Sequence, residues 1–288
     1  TMETLAPVAL DITTMRRVVD REGGCIVWGG AMHLSPADDI LIRVERPLDL
    51  DSEGQMIASI LSKKAAAGST HVVIDMPVGA TAKVRDQKTA RSLGALLTEV
   101  GKAVGLEVRV VITDGTQPVG RRIGPALEAR DVLAVLQGAP GAPRDLRDRA
   151  AHLAAEILEM ANKAAAGAGI TLARAILDDG RAWRKFQAIC EAQGGMRVPP
   201  RAAHTEVVTA TRAGTVKLID NRRLARIAKL AGAPTSPAAG LELHSPVGTT
   251  VERNQPLFTV HSEAPGELAY ALAYVAANPA IFHIEELS

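Results

Sequence analysis

The strongest constraint on this 288-residue chain is an alternation that runs through its first two-thirds. The β-rich run His71–Met76 (HVVIDM) precedes a helical pattern over Lys88–Val104, which Gly105 closes. The run Glu107–Thr113 (EVRVVIT) precedes a helix over Pro125–Leu136, with proline in its first turn. Parallel strands need a long crossover between them, and a helix of this length supplies one. The pattern therefore predicts an α/β fold, a mostly parallel sheet flanked by helices. Upstream, Cys25–Trp28 (CIVW) reads as a buried strand after a helix over Asp11–Arg21 that stops at Gly23-Gly24. A further helix spans Asp51–Ala67. Asp51 or Ser52 caps it, Met56, Ile57, Ile60 and Leu61 form its apolar face, and Gly68 ends it.

Beyond a Gly/Pro/Ala linker at 138–143 the sequence predicts one long alanine-rich helix, Arg144–Ala166, and two shorter helices through 170–193. The texture then changes. From Pro199 the β-type runs TEVVTA, GTVKLI and PLFTVHS alternate with helices over Asn221–Ala231 and Gly266–Ala276, a second region of α+β character. The Pro199-Pro200 pair marks the boundary. The stretch AGLELHSPVGTTVERNQPLFTVHSE resembles a lipoyl or biotinyl barrel hairpin, but the turn that bears the modified lysine in such carriers holds none here. It is read as a barrel-like part of structural use only. At about 150 residues per domain, two domains also fit the length.

Composition narrows the function classes. Lys+Arg 33 against Asp+Glu 32 leaves a net charge of +1, which speaks against a general polyanion-binding surface. Aromatics are 2%, too few for a stacking platform for single-stranded nucleic acid, so no nucleic-acid partner is expected. Cys25 and Cys190 show neither metal-ligand spacing nor a disulfide framework, which suits a reduced, cytoplasmic location. No apolar run approaches the length of a membrane span, so no membrane association is expected. The seven histidines show no HxH or HExxH spacing, and no metal is assigned. A GxSxG elbow, a Walker A loop and a GxGxxG after a strand are all missing.

Two places carry potential chemistry. Ser59 and Lys63 stand four apart on one helix face, about 6 Å along the axis. A hydroxyl beside an ammonium suits a carbonyl-bearing ring or an oxyanion, whereas spacing alone favours a solvated face. The second place is the loop Trp28–Pro47, a strand entering a Gly-Gly turn followed by paired acids. It reads either as a functional loop at a strand's carboxyl end or as a plain connection capped by Asp38 and Asp39. Arg43 and Arg46 within it are either surface charges or fork donors to a planar ligand.

Five segments in fixed order lead further. They are CIVWGGAMHLSPADDILIRVERPL, SEGQMIASILSKK, HVVIDMPVG, TDGTQPVGRRIGPALEARDVL, and the tail from RAGTVKLID through GLELHSPVG to PLFTVHSE. Together they resemble the thymidine/pyrimidine-nucleoside phosphorylase family, especially its archaeal-type branch, which includes AMP phosphorylases. The resemblance implies a pentosyltransferase: inorganic phosphate attacks the anomeric carbon of a pyrimidine nucleoside, releasing free base and sugar 1-phosphate. It also implies that no cofactor is used, phosphate being a co-substrate. Arg43 and Lys63 would hold the ring carbonyl oxygens and Ser59 would meet ring N3, with Arg46 as the substitute for Arg43. Some relatives hold an ion near PVGRRIGPALEARD, where Asp131 is the carboxylate; no ion is assigned to it.

The resemblance also divides the chain into residues 1–41 and 68–198 as an α/β domain, 42–67 as the remnant of a small helical domain carrying the base-binding motif, and 199–288 as the C-terminal α+β domain. The family's phosphate-loop runs, of K-x-S-x-G-G and S-G-R/T-G-G type, do not occur in this sequence. The expectation is a C-terminal portion, inactive by itself, of an enzyme that is a homodimer when complete. Its partners would be a nucleoside or nucleotide and phosphate. The helix Asp51–Ala67 is further expected to be mobile, or to pack on a second copy. AMP phosphorylase is the enzyme alternative. A non-catalytic binding or assembly module is the alternative from another class.

Overall fold

The computed structural model of the protein describes residues 1–29 and 53–286. After a 3-10 turn at Met2–Thr4, helix α1 spans Ile12–Glu22; Asp11 caps it by accepting from Thr14 N at 2.7 Å, and Gly23 ends it at φ 76°. Helix α2 (Glu53–Ala66) leads into β1 (His71–Val78), α3 (Gln87–Ala103) and β2 (Glu107–Asp114). β1 and β2 pair in parallel from His71↔Glu107 to Val78↔Asp114, with α3 as the crossover. Asp86 caps α3, accepting from both the backbone N and the hydroxyl of Thr89 at 2.8 Å. Ile57 and Leu61 of α2, Val72 and Met76 of β1, and Leu93 and Leu97 of α3 are buried in one cluster. Their period-3.6 and period-2 spacings turn these positions to the same interior.

The short strand β3 (Arg122–Ile123) precedes α4 (Pro125–Leu136), α5 (Arg144–Met160), α6 (Gly169–Asp178) and α7 (Arg181–Ala192). The remaining elements are β4 (His204–Thr209), β5 (Gly214–Ile219), α8 (Asn221–Leu230), β6 (Gly240–Leu243), β7 (Thr250–Val251), β8 (Pro256–Ser262), α9 (Pro265–Ala277) and β9 (Phe282–Glu285). They form a four-stranded sheet in the order β3-β6-β8-β4 and a three-stranded sheet in the order β7-β5-β9, all antiparallel. Phe258 and Val260 of β8, Val216 and Ile219 of β5, Leu224 and Ile227 of α8 and Ala271 of α9 share a second core.

Four sequence expectations are corrected. Parallel pairing of strands is limited, among the described residues, to β1 and β2, so the mostly parallel sheet is a two-stranded one. No closed barrel forms among the described residues: the apolar strand faces are covered by α8 and α9 rather than by the sheet curling onto itself. Cys25–Trp28 is not a strand. Its polar groups are served instead by the side chain of Gln193, 3% exposed, which accepts from Ile26 N at 2.7 Å and donates to Ile26 O at 2.9 Å and Pro7 O at 2.8 Å. Trp28 N adds one bond to Val8 O at 2.9 Å. The alanine-rich helix α5 ends at Met160, because Asn162 takes φ 54° and the next two amides fold back onto Leu158 O.

Candidate functional site

The carboxyl ends of β1 and β2 lie side by side, and the loops that leave them touch through backbone. Gly115 N donates to Val78 O at 2.9 Å, and a Cβ placed on Gly79 would lie 2.5 Å from Gly115 O. Only glycine allows this approach. Beside the loops opens a cavity of about 480 Å³, the place where α/β sheets ordinarily bind ligands. Met56 and Ile60 of α2 wall it on one side, with Met76, Val84 and Leu93 continuing the apolar lining.

Polar groups interrupt that lining. Thr113 Oγ1 donates to Asp75 Oδ1 at 2.5 Å, and Arg149 Nη1 lies 3.6 Å from Asp75 Oδ2. Arg149 also donates to the carbonyl of Asp114, so one guanidinium reaching over from α5 ties the ends of both strands. Asp114 Oδ1 accepts from Thr116 N at 2.8 Å, which fixes the turn after β2. The region after Pro199 reaches the same loops three times. Asn221 Nδ2 donates to Gly115 O at 3.1 Å, Arg222 Nε to Thr81 O at 3.2 Å, and Val247 N to Gln117 Oε1 at 2.8 Å. Lys83 also lines the cavity. An apolar slot edged by two carboxylates, two cations and two amides has the makeup to hold a flat heterocycle by its faces and edges.

Ser59 and Lys63 both lie on α2 and are half-buried. Ser59 is three residues beyond Met56 and Lys63 three beyond Ile60, so the four form one stripe of the helix. Met56 and Ile60 line the cavity and Ile57 and Leu61 occupy the core, whereas the predicted polar residues Ser59 and Lys63 are next to the lining on this stripe without being part of it. Arg43, Arg46 and most of the loop Trp28–Pro47 lie outside the described residues, and so does the capping position at Asp51 or Ser52. Asp131, 2% exposed, is taken up by the protein itself: Oδ1 accepts from Arg122 Nη1 at 2.5 Å and Oδ2 from Arg121 N at 2.7 Å. Arg122 Nη2 then reaches Glu242 Oε1 at 2.5 Å, which links α4, β3 and β6. No group of three or more His, Cys, Asp or Glu side chains among the described residues is arranged to hold a metal ion.

Sequence reasoning passed over Asp75, Thr113, Lys83, Arg149, Gln117 and Asn221. The first three had a usable signal, since they end or follow the two β-runs just where glycine appears (DMPVG, TDG). Arg149 and Asn221 had none, because each arrives from a distant element.

Fold and site together define an α/β unit whose cavity, at the ends of parallel strands, is braced by an antiparallel α+β region. No helix among the described residues is long and apolar enough to cross a membrane. Comparison with known proteins narrows the class. The family model for the pyrimidine nucleoside phosphorylase C-terminal domain matches residues 215–281. Over 286 residues, 99% of this chain, the sequence is 68% identical to "Putative thymidine phosphorylase 2" of Acidovorax sp. strain JS42. It is 66% identical over 286 residues, again 99% of the chain, to "Putative thymidine phosphorylase" of Polaromonas sp. strain JS666. A protein of the same name from Chelativorans sp. strain BNC1 is 62% identical over 285 residues, 99% of the chain. The chain spans 56% of the length of each of these relatives. The resemblance to the thymidine/pyrimidine-nucleoside phosphorylase family that its motifs carry thus holds along nearly all of its residues.

Proposed function

We propose that this chain supplies the base-binding side of a pyrimidine-nucleoside phosphorylase, a pentosyltransferase acting on thymidine or a close analogue. One observation supports the reading: Met56 and Ile60 of α2 line the cavity at the ends of β1 and β2, and Ser59 and Lys63 stand next to them on that helix, beside the lining and not in it. In the reaction an oxygen of inorganic phosphate bonds to C1′ of the sugar while the C1′–N1 bond breaks. The electron pair of that bond leaves with the base, and free base and sugar 1-phosphate result. Negative charge therefore develops on the ring as it departs. A cation and a hydroxyl at the ring edge stabilise the transition state more than the ground state, each by about 3 kcal/mol when well placed. Lys63 and Ser59 have the chemistry for this task, and the Met56–Ile60 wall excludes water from the ring faces. Arg43, or Arg46 in its place, completes the proposed base site.

Calorimetric titration of the chain with thymine, uracil, thymidine and AMP tests the reading. Pyrimidine binding by the wild type, weakened about 10- to 100-fold by Lys63→Met as expected for a lost charged hydrogen bond, is the predicted result. Binding of no pyrimidine, or a Lys63→Met protein that binds thymine like the wild type, would sink it. Preference for AMP over thymidine would move the substrate to a nucleotide. Turnover is read on a chimera that adds the part of the Acidovorax relative not covered by this chain. Phosphate-dependent release of base supports the enzyme, whereas ligand binding without turnover supports a non-catalytic module.

A further inference from the structure

Asn221 is the first residue of α8, and the backbone around it is held from several directions. Asp220 caps the helix by accepting from Arg222 N at 3.0 Å and Arg223 N at 3.1 Å, while Asp220 N donates to Ile281 O at 2.9 Å. The neighbouring Arg222 is anchored to Thr81 O at 3.2 Å. Within this frame Asn221 Nδ2 donates to Gly115 O at 3.1 Å. That bond settles which end of the amide is which, because a carbonyl oxygen accepts only from the NH2 end. Asn221 Oδ1 is thereby directed away from Gly115. It is enclosed by protein and meets no donor among the described residues, yet the residue lines the cavity at the ends of β1 and β2. A buried acceptor left unmatched is costly, and in native proteins nearly every such group finds a donor.

We infer that Asn221 is a ligand-binding residue whose Oδ1 accepts a hydrogen bond from the molecule that occupies this cavity. The ligand must present an N–H or O–H donor there. On the nucleoside reading, on which this inference rests, the donor is a ring N–H or a sugar hydroxyl. The region after Pro199 then contributes directly to recognition, beyond bracing the loops through Thr81, Gly115 and Gln117. Asn221 binds substrate in this assignment and takes no part in bond breaking.

The test is a cycle of titrations on the wild type and Asn221→Leu, which keeps the size of the side chain and removes its polar atoms. Two ligand pairs distinguish the donors: thymine against 3-methylthymine, and thymidine against 3′-deoxythymidine. The expected result is that Asn221→Leu weakens the donor-bearing member of one pair about 3- to 10-fold, the range for one neutral hydrogen bond, and leaves its donor-free partner unchanged. Asn221→Leu also removes the bond to Gly115, but loss of that brace alone weakens all four ligands equally, and that outcome overturns the inference. Unchanged affinity for all four overturns it as well, and means that no ligand donor reaches Oδ1. In both cases the site reading survives, because the wild type still binds pyrimidines. A wild type that binds none of the four removes the reading and the inference together. Asn221→Ser, a smaller side chain that retains an acceptor, should keep the discrimination and serves if Asn221→Leu does not fold.

Discussion

Replacing Gly79 with alanine asks whether the site is held by the backbone contact between its two loops. The added Cβ would lie 2.5 Å from Gly115 O, 2.6 Å from Gly115 C and 2.9 Å from Thr116 N, all of them backbone atoms that cannot rotate away. Carbon contacts settle near 3.5 Å, so the loops must part by about 1 Å. That movement strains the Gly115 N–Val78 O bond and the Asn221 bond to Gly115 O. Overpacking of this kind costs about 1–3 kcal/mol. The φ of Gly79 lies outside the left-handed range, so alanine brings no backbone strain there and recovers about 0.4–1 kcal/mol by restricting the unfolded chain. The steric term wins. The melting temperature of Gly79→Ala should fall by several degrees, at about 2–4 °C per kcal/mol for a chain of this size class.

Gly54→Ala is the control. Gly54 sits exposed in α2, and a Cβ there meets nothing within 4 Å, so alanine should raise the melting temperature through its better helix propensity, worth about 0.5–1 kcal/mol. Melting curves on the two variants and the wild type read the packing claim without any assumption about ligand. Thymine titration on the same samples reads whether the contact shapes the cavity. A Gly79→Ala protein that melts at or above the wild-type temperature would refute the reasoning, since the loops would then separate at no cost.

Two further perturbations address the link between the sheets and the pH response. Asp131→Ala leaves the Arg122 guanidinium with Glu242 alone and leaves Arg121 N without its acceptor, so chemical denaturation should show a loss of about 3 kcal/mol; a loss below 1 kcal/mol would mean that the cluster does not hold α4 to β3 and β6. Burial pushes His261 below its ordinary value, with Arg130, Arg122 and His244 adding to the effect and Glu242, 3.8 Å away, opposing it. The folded state therefore prefers the neutral ring. Its contribution is full above the ordinary imidazole value of about 6.5 and is lost as the pH falls through that value toward the folded one. Melting temperatures recorded between about pH 7.5 and 5 should fall less steeply for His261→Gln than for the wild type, and parallel curves would contradict the assignment.

How far the sequence could be read depends on where each element's partners lie along the chain. β1, α3 and β2 are legible to within a residue or two, because the β-rich runs and the Gly105 stop are local signals. Cys25–Trp28 has the same local signature as a strand. What decides its structure is Gln193, more than 160 residues away in sequence, which takes the place of a neighbouring ladder. The end of α5 is similar in kind: alanine propensity favours a longer helix, and the left-handed turn at Asn162 outweighs it. In the C-terminal region each strand's apolar face is plain in the sequence, but a face does not say whether a second sheet or a helix will cover it, and α8 and α9 do so here. The same asymmetry governs the site. Ser59 and Lys63 stand out because i, i+4 spacing is a local property, and the strand ends stand out because glycine follows them. Arg149 and Asn221 become visible only once the fold carries α5 and α8 to those ends, where one guanidinium and one amide brace the loops. If the Asn221 titrations succeed, part of the recognition will have come from a wall of the cavity that no local motif could disclose.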